Sequence, residues 1–149
     1  MADSAIQKKV EKWVIESKLP EIFGQAFVPR SLPLEWGGVF EFDGVSTDGT
    51  IGVCVSTSSY RTGGDRGGSG KAQKIKADTL YLLHSKTLKR RFLVFTEEDM
   101  LNYFKKQQEK GRFPVAPFIE LLLVQIPENL AAQLAVAKQT ASSEVTPQV

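Results

Sequence analysis

The residues best able to do chemistry lie between Gly38 and Ser59, in the stretch GVFEFDGVSTDGTIGVCVSTSS. Side chains two apart on a strand share a face. A first strand here puts Phe40 and Phe42 on one side and Glu41 and Asp43 on the other. A second strand sets Val53 and Val55 against Cys54, Ser56 and Ser58. Asp48-Gly49 between them readily takes the positive φ angles of a tight hairpin turn. If the apolar faces join, the hairpin keeps an open face bearing two carboxylates, a thiol and hydroxyls. Any reaction would start there.

Basic residues follow in two groups. Lys71, Lys74 and Lys76 come after the hairpin, and Lys86, Lys89, Arg90 and Arg91 cluster at a later turn. Bordering the open face, they would form a positive rim suited to phosphates. The plainer role is a solvated edge whose lysines discourage strand pairing. The span Arg61 to Lys71 contains five glycines and reads as a mobile loop, in which Arg61, Arg66 and Lys71 could close over an anion. Its end is like a P-loop, but that motif needs glycine at 65 and Ser or Thr at 72, where Asp65 and Ala72 stand. No aromatic residues interleave with these charges, so base stacking is not indicated. Cys54 with His84 as base has no evident acid to orient the ring, and a lone cysteine in a valine-rich strand is a small core filler. One Cys and one His cannot close a zinc site.

The elements that must position these residues read as follows. A helix over 4–18, capped by Asp3 or Ser4, carries Ile6, Val10, Trp13 and Val14 at helical spacing and stops at Pro20. Trp13 is a core anchor. Residues 21–36 connect, with a short strand near Phe27. After the hairpin come a short helix over 69–76, a strand over 77–83, a turn over 85–89 and a strand over 91–95. A helix over 97–110 has Thr96 as cap, acids at its start, lysines at its end and Gly111 as stop. A strand over 118–126 and a helix over 128–138 follow, the helix packing through Leu130, Leu134 and Val136. This order predicts an α/β fold with a mixed central sheet flanked by helices. Residues 1–139 make one domain, and 140–149 a disordered tail.

Composition narrows the class. With 149 residues the chain can bury a real core, and 42% apolar with 24% charged residues excludes a disordered or membrane-embedded chain. No apolar run approaches the roughly 18 residues that span a bilayer. MADSAIQKK lacks an apolar signal core, and a single cysteine excludes an internal disulfide; both point to the reducing cytoplasm. A net charge of +2 does not by itself announce a nucleic-acid binder.

A helix, a hairpin with Glu41-Phe42-Asp43 on its first strand, a lysine-rich helix and a further strand together resemble the restriction-endonuclease-like superfamily, the PD-(D/E)xK nucleases. That family carries an aspartate on the first strand and Glu-x-Lys on the second. Here Asp43 stands in the aspartate position, but Cys54-Val55-Ser56 stands where Glu-x-Lys belongs. The resemblance, over about residues 4–95, implies Asp43 and Glu41 as magnesium ligands and catalytic acids. It implies Lys71 or Lys74 as the migrated lysine, and Glu11, Glu16 or Glu35 as a migrated second acid. Cysteine is a poor ligand for a hard cation and serine brings no charge, so the metal site looks eroded.

The implied function is a nucleic-acid-binding protein, for DNA or RNA, with a degenerate and weak magnesium site. Arg61, Arg66, Lys76, Lys89 and Arg90 would be its phosphate contacts. Two alternatives stand beside it. One is an active magnesium-dependent nuclease, a hydrolase with migrated catalytic residues. The other is a non-enzymatic interaction or regulatory module, binding a protein partner or pairing its last strand with a second copy as a homodimer.

Overall fold

In the computed structural model, which describes residues 4–60 and 69–145 and the side chains of 5–60 and 69–139, a five-stranded sheet lies between helices. The α/β class with a mixed, helix-flanked sheet is as the sequence implies. The strands are β1 (Phe27–Pro33), β2 (Val39–Ser46), β3 (Ile51–Ser56), β4 (Arg90–Phe95) and β5 (Glu120–Leu123), ordered β1-β2-β3-β4-β5. β1 pairs antiparallel with β2 and β2 antiparallel with β3, while β3, β4 and β5 run parallel to one another.

The helices are α1 (Ser4–Trp13), α2 (Leu19–Phe23), α3 (Ser69–Leu83), α4 (Glu98–Glu109) and α5 (Glu128–Val145). α3 and α4 cover one face of the sheet, burying Phe42, Cys54, Leu93, Phe95 and Phe104. α1, α2 and the turn between them cover the other, over Val14, Ile15, Phe27, Val53 and Val94. α5 leans on α1 through Leu130 and Leu134 against Ile6 and Val10. The inner parallel strands β3 and β4 are therefore covered on both sides, as their continuous apolar runs demand.

Several expectations change. Pro20 does not end the first helix. A π-helical turn, Val14–Lys18, precedes it, with Leu19 N–H bonded to the Val14 carbonyl, and α2 starts with Pro20 in its first turn. A proline in the first turn gives up no hydrogen bond, so helix can resume there. The presumed connection 21–36 holds the seven-residue strand β1, which tolerates Pro29 and Pro33 because it is a sheet edge.

Residues 77–83 are not a strand. They complete α3, whose buried Ala72, Ile75, Thr79 and Leu82 recur at helical spacing. Glu97, without a side-chain cap bond, precedes α4 in place of Thr96. β5 is shorter than 118–126, and Val136 is 62% exposed instead of packed. α5 runs on through 140 to Val145; residues 146–149 of the expected tail lie outside the described residues. The glycine-rich loop with Arg61 and Arg66 also lies outside them.

The joined faces of the hairpin differ as well. Phe42 shares its core with Cys54, while Val53 packs on the opposite face. The cause is a bulge. Val28 pairs Val45 and Arg30 pairs Phe42, so Asp43 and Gly44 together oppose Pro29. The extra residue breaks the alternation, so that Phe42 and Val45, three apart, share one core. Gly44 is required there: a Cβ would lie 2.8 Å from Ile15 Cδ1 and 3.0 Å from Val53 Cγ2.

Candidate functional site

β2 and β3 pair only at Gly44–Val53 and Val45–Gly52. Beyond Gly44 the strands part, and the Asp43 side chain enters the gap. Its Oδ2 accepts a hydrogen bond from Val55 N–H at 2.7 Å, replacing a missing ladder partner. The bulge therefore converts a strand residue into a carboxylate held between strands.

Glu11 reaches the same point from α1. Its carboxyl is hydrogen-bonded to Asp43, and its pKa is raised to about 7. Burial is the main cause, followed by the Asp43 charge and the Asp43 hydrogen bond; Asp78 adds to the rise and Lys74 opposes it. Near neutral pH Glu11 therefore still holds part of its proton.

From the other face, α3 brings Lys74 and Asp78, one turn apart, with Lys74 Nζ 3.2 Å from Asp78 Oδ2. Burial raises the Asp78 pKa, with a further push from Asp43, while Lys74 pulls it down. Lys74 stays firmly protonated: burial works against its charge, but Asp78 and Asp43 outweigh it. Fully ionised, three carboxylates against one ammonium leave two negative charges at the gap. Such a site attracts a cation. A small cavity of about 10 Å³, lined by Val55, Ser56 and Asp78 among others, lies beside it. That is below the size of pockets that hold organic cofactors. Among the described residues, no group of three or more His, Cys, Asp or Glu side chains is arranged to hold a metal ion.

Of the residues expected at the site, Asp43, Glu11 and Lys74 come together. Glu41 is exposed, pairs opposite Ser31 on the outer part of β2, and is not among the groups that shift the acid pair. Burial, and then the charge of Lys138, lowers the Lys71 pKa, and Lys71 does not join the acids. Lys76 turns to Tyr103, 3.5 Å from its hydroxyl and 5.8 Å above its ring.

Arg90 is clamped by Glu120 through bonds of 3.2 and 3.1 Å and lies 4.8 Å over Phe92. Arg91 closes the end of α3 by donating to the Leu82 and Leu88 carbonyls. Lys89 is exposed beside Arg90, at the turn end of β3 and away from Asp43. Glu16 is exposed, and Glu35 bonds His84 instead. Cys54 is sealed in the core, where burial pushes its thiol well up; His84 does gain an acid partner, but with no accessible nucleophile.

Asp78 was missed because residues 77–83 read as a strand. Once they are helical, the Lys74 to Asp78 spacing is an ion-pair signal. No helix among the described residues is long and apolar enough to cross a membrane. No family model, curated protein or solved structure matches the chain.

Proposed function

We propose that this chain is a nucleic-acid-binding domain of restriction-endonuclease-like architecture whose phosphodiester-cleaving site is rebuilt from α1, β2 and α3. The observation that carries this reading is the Glu11–Asp43 acid pair, set against Lys74 and Asp78 where β2 and β3 part. Two adjacent carboxylates stop repelling when a proton or a divalent cation joins them, and carboxylate oxygens suit magnesium. Magnesium held there would polarise a phosphate and acidify a bound water. Glu11 and Asp43 would hold it, Lys74 would support charge developing on the phosphate, and Asp78 would keep Lys74 in place. The order of a helix, three antiparallel strands, a helix and a parallel strand supports the architecture.

Binding without cleavage is the second reading, and β3 favours it. Cys54 stands in the position of the family's glutamate as a buried thiol, and Ser56 in that of its lysine as a neutral hydroxyl.

Incubating end-labelled DNA and RNA strands with magnesium or manganese separates the two. Cleavage should appear, vanish with chelator, and fall at least about 100-fold in Asp43→Asn and in Lys74→Ala. Cleavage that survives Asp43→Asn would place the chemistry elsewhere. Salt-sensitive binding with no cleavage supports the second reading, and no binding under any salt condition leaves only a protein-interaction module.

A further inference from the structure

The face of α3 that carries Lys74 and Asp78 continues one turn further to Tyr81. There the helix meets the tip of the β1–β2 hairpin, and aromatic rings collect. Tyr81 stacks on Phe40 with centroids 4.2 Å apart and planes 11° from parallel. Phe40 meets the buried Phe42 edge-on, which roots the stack in the core. Trp36 lies on the outer side, 6.3 Å from Tyr81 and 5.4 Å from His84, and is 55% exposed.

The tip that bears Trp36 is tied down. Leu34 N–H donates to the Gly38 carbonyl at 2.8 Å, Glu35 N–H to the His84 carbonyl at 2.9 Å, and Lys86 N–H to the Pro33 carbonyl at 3.1 Å. A large aromatic ring is thus presented to solvent on a fixed mount. The charges beside it are mixed: the exposed Glu35 carboxylate is hydrogen-bonded to the His84 ring at 2.7 Å, and the exposed Lys86 projects from the segment just beyond.

We infer that Trp36, backed by Tyr81, stacks an unpaired nucleobase whose neighbouring phosphate lies at Lys74, so that single-stranded nucleic acid is preferred over duplex. The inference rests on the proposed nucleic-acid reading and specifies its substrate. Every base has a π face, so one exposed ring gains stacking energy without reading sequence. A duplex keeps those faces covered by its own stacking. Lys74 and Tyr81, whose ring neighbours Trp36, stand about two turns apart on one face of α3, a spacing that consecutive parts of a strand can span.

The test compares a fluorescein-labelled oligothymidylate with an abasic strand of equal length, with calcium replacing magnesium. The wild type should bind the thymidylate about 10-fold more tightly than the abasic strand. Trp36→Ala should erase that difference and leave the abasic strand unaffected, whereas Trp36→Phe should keep most of it. The exposed position of Trp36 means that the Ala variant should unfold at the wild-type temperature. Equal wild-type binding of both strands would overturn the stacking inference while leaving the nucleic-acid reading intact. No binding of either strand or of duplex at low salt would overturn both. Unchanged binding in Trp36→Ala, together with loss of a dimer by size-exclusion chromatography, would overturn it in favour of self-association.

Discussion

Glu11 concentrates the electrostatics of the acid pair, and its titration ties the site to stability. The folded chain holds the Glu11 proton up to about 7, against 4.5 for an ordinary carboxyl. Between those values the folded state binds more protons than the unfolded state, so stability falls as pH rises. The contribution is complete below 4.5 and lost above about 7. Glu11→Gln should remove this loss and raise stability at pH ~8 by about 1 kcal/mol, less than the full shift implies because solvent reaches the carboxyl. Urea unfolding of both proteins at acidic and alkaline pH checks it; an unaltered pH profile in the variant would contradict the pairing. Asp43, Lys74 and Glu11 could each be named from the sequence as candidates. Their convergence could not, because they come from three elements and both faces of the sheet.

At the scale of elements, the bulge in β2 decides what Asp43 does. Gly44 supplies the room: any side chain there presses on Ile15 and Val53. Gly44→Ala should cost about 1–3 kcal/mol by overpacking and should push Asp43 away from Val55 N–H. A fall in metal-dependent activity larger than the loss of stability would mark the geometric effect; a variant as stable and active as wild type would refute it. Helix α4 was readable because its acids, lysines and stopping glycine agree with its apolar stripe. α3 was not, because Leu-Tyr-Leu-Leu at its end looks like a buried strand. Only its packing, with Leu82 buried and Leu80 48% exposed, shows the helical period.

For the molecule as a whole, a charge of +2 predicts that phosphate contacts are few and local. Single-strand affinity should therefore fall with salt on a shallow log–log slope, each phosphate contact contributing about −0.7. Lys74→Ala should remove about one contact, whereas Arg90→Ala should leave the slope alone because Glu120 already holds that guanidinium. A steeper loss in Arg90→Ala than in Lys74→Ala would move the nucleic-acid face to the other end of the sheet.

The amino-acid order by itself determined the α/β class, the tight turn at Asp48-Gly49, the charge-ordered α4 and the buried strand β4, because each follows from local periodicity and turn chemistry. It also singled out Asp43. Only the tertiary structure decided which groups meet it. Glu11 and Asp78 are 32 and 35 residues away in the chain. Trp36 and Tyr81 become neighbours only when α3 crosses to the hairpin tip. Such long-range juxtapositions depend on one inserted residue in β2 and on how two helices lie across the sheet, which no short stretch of sequence encodes.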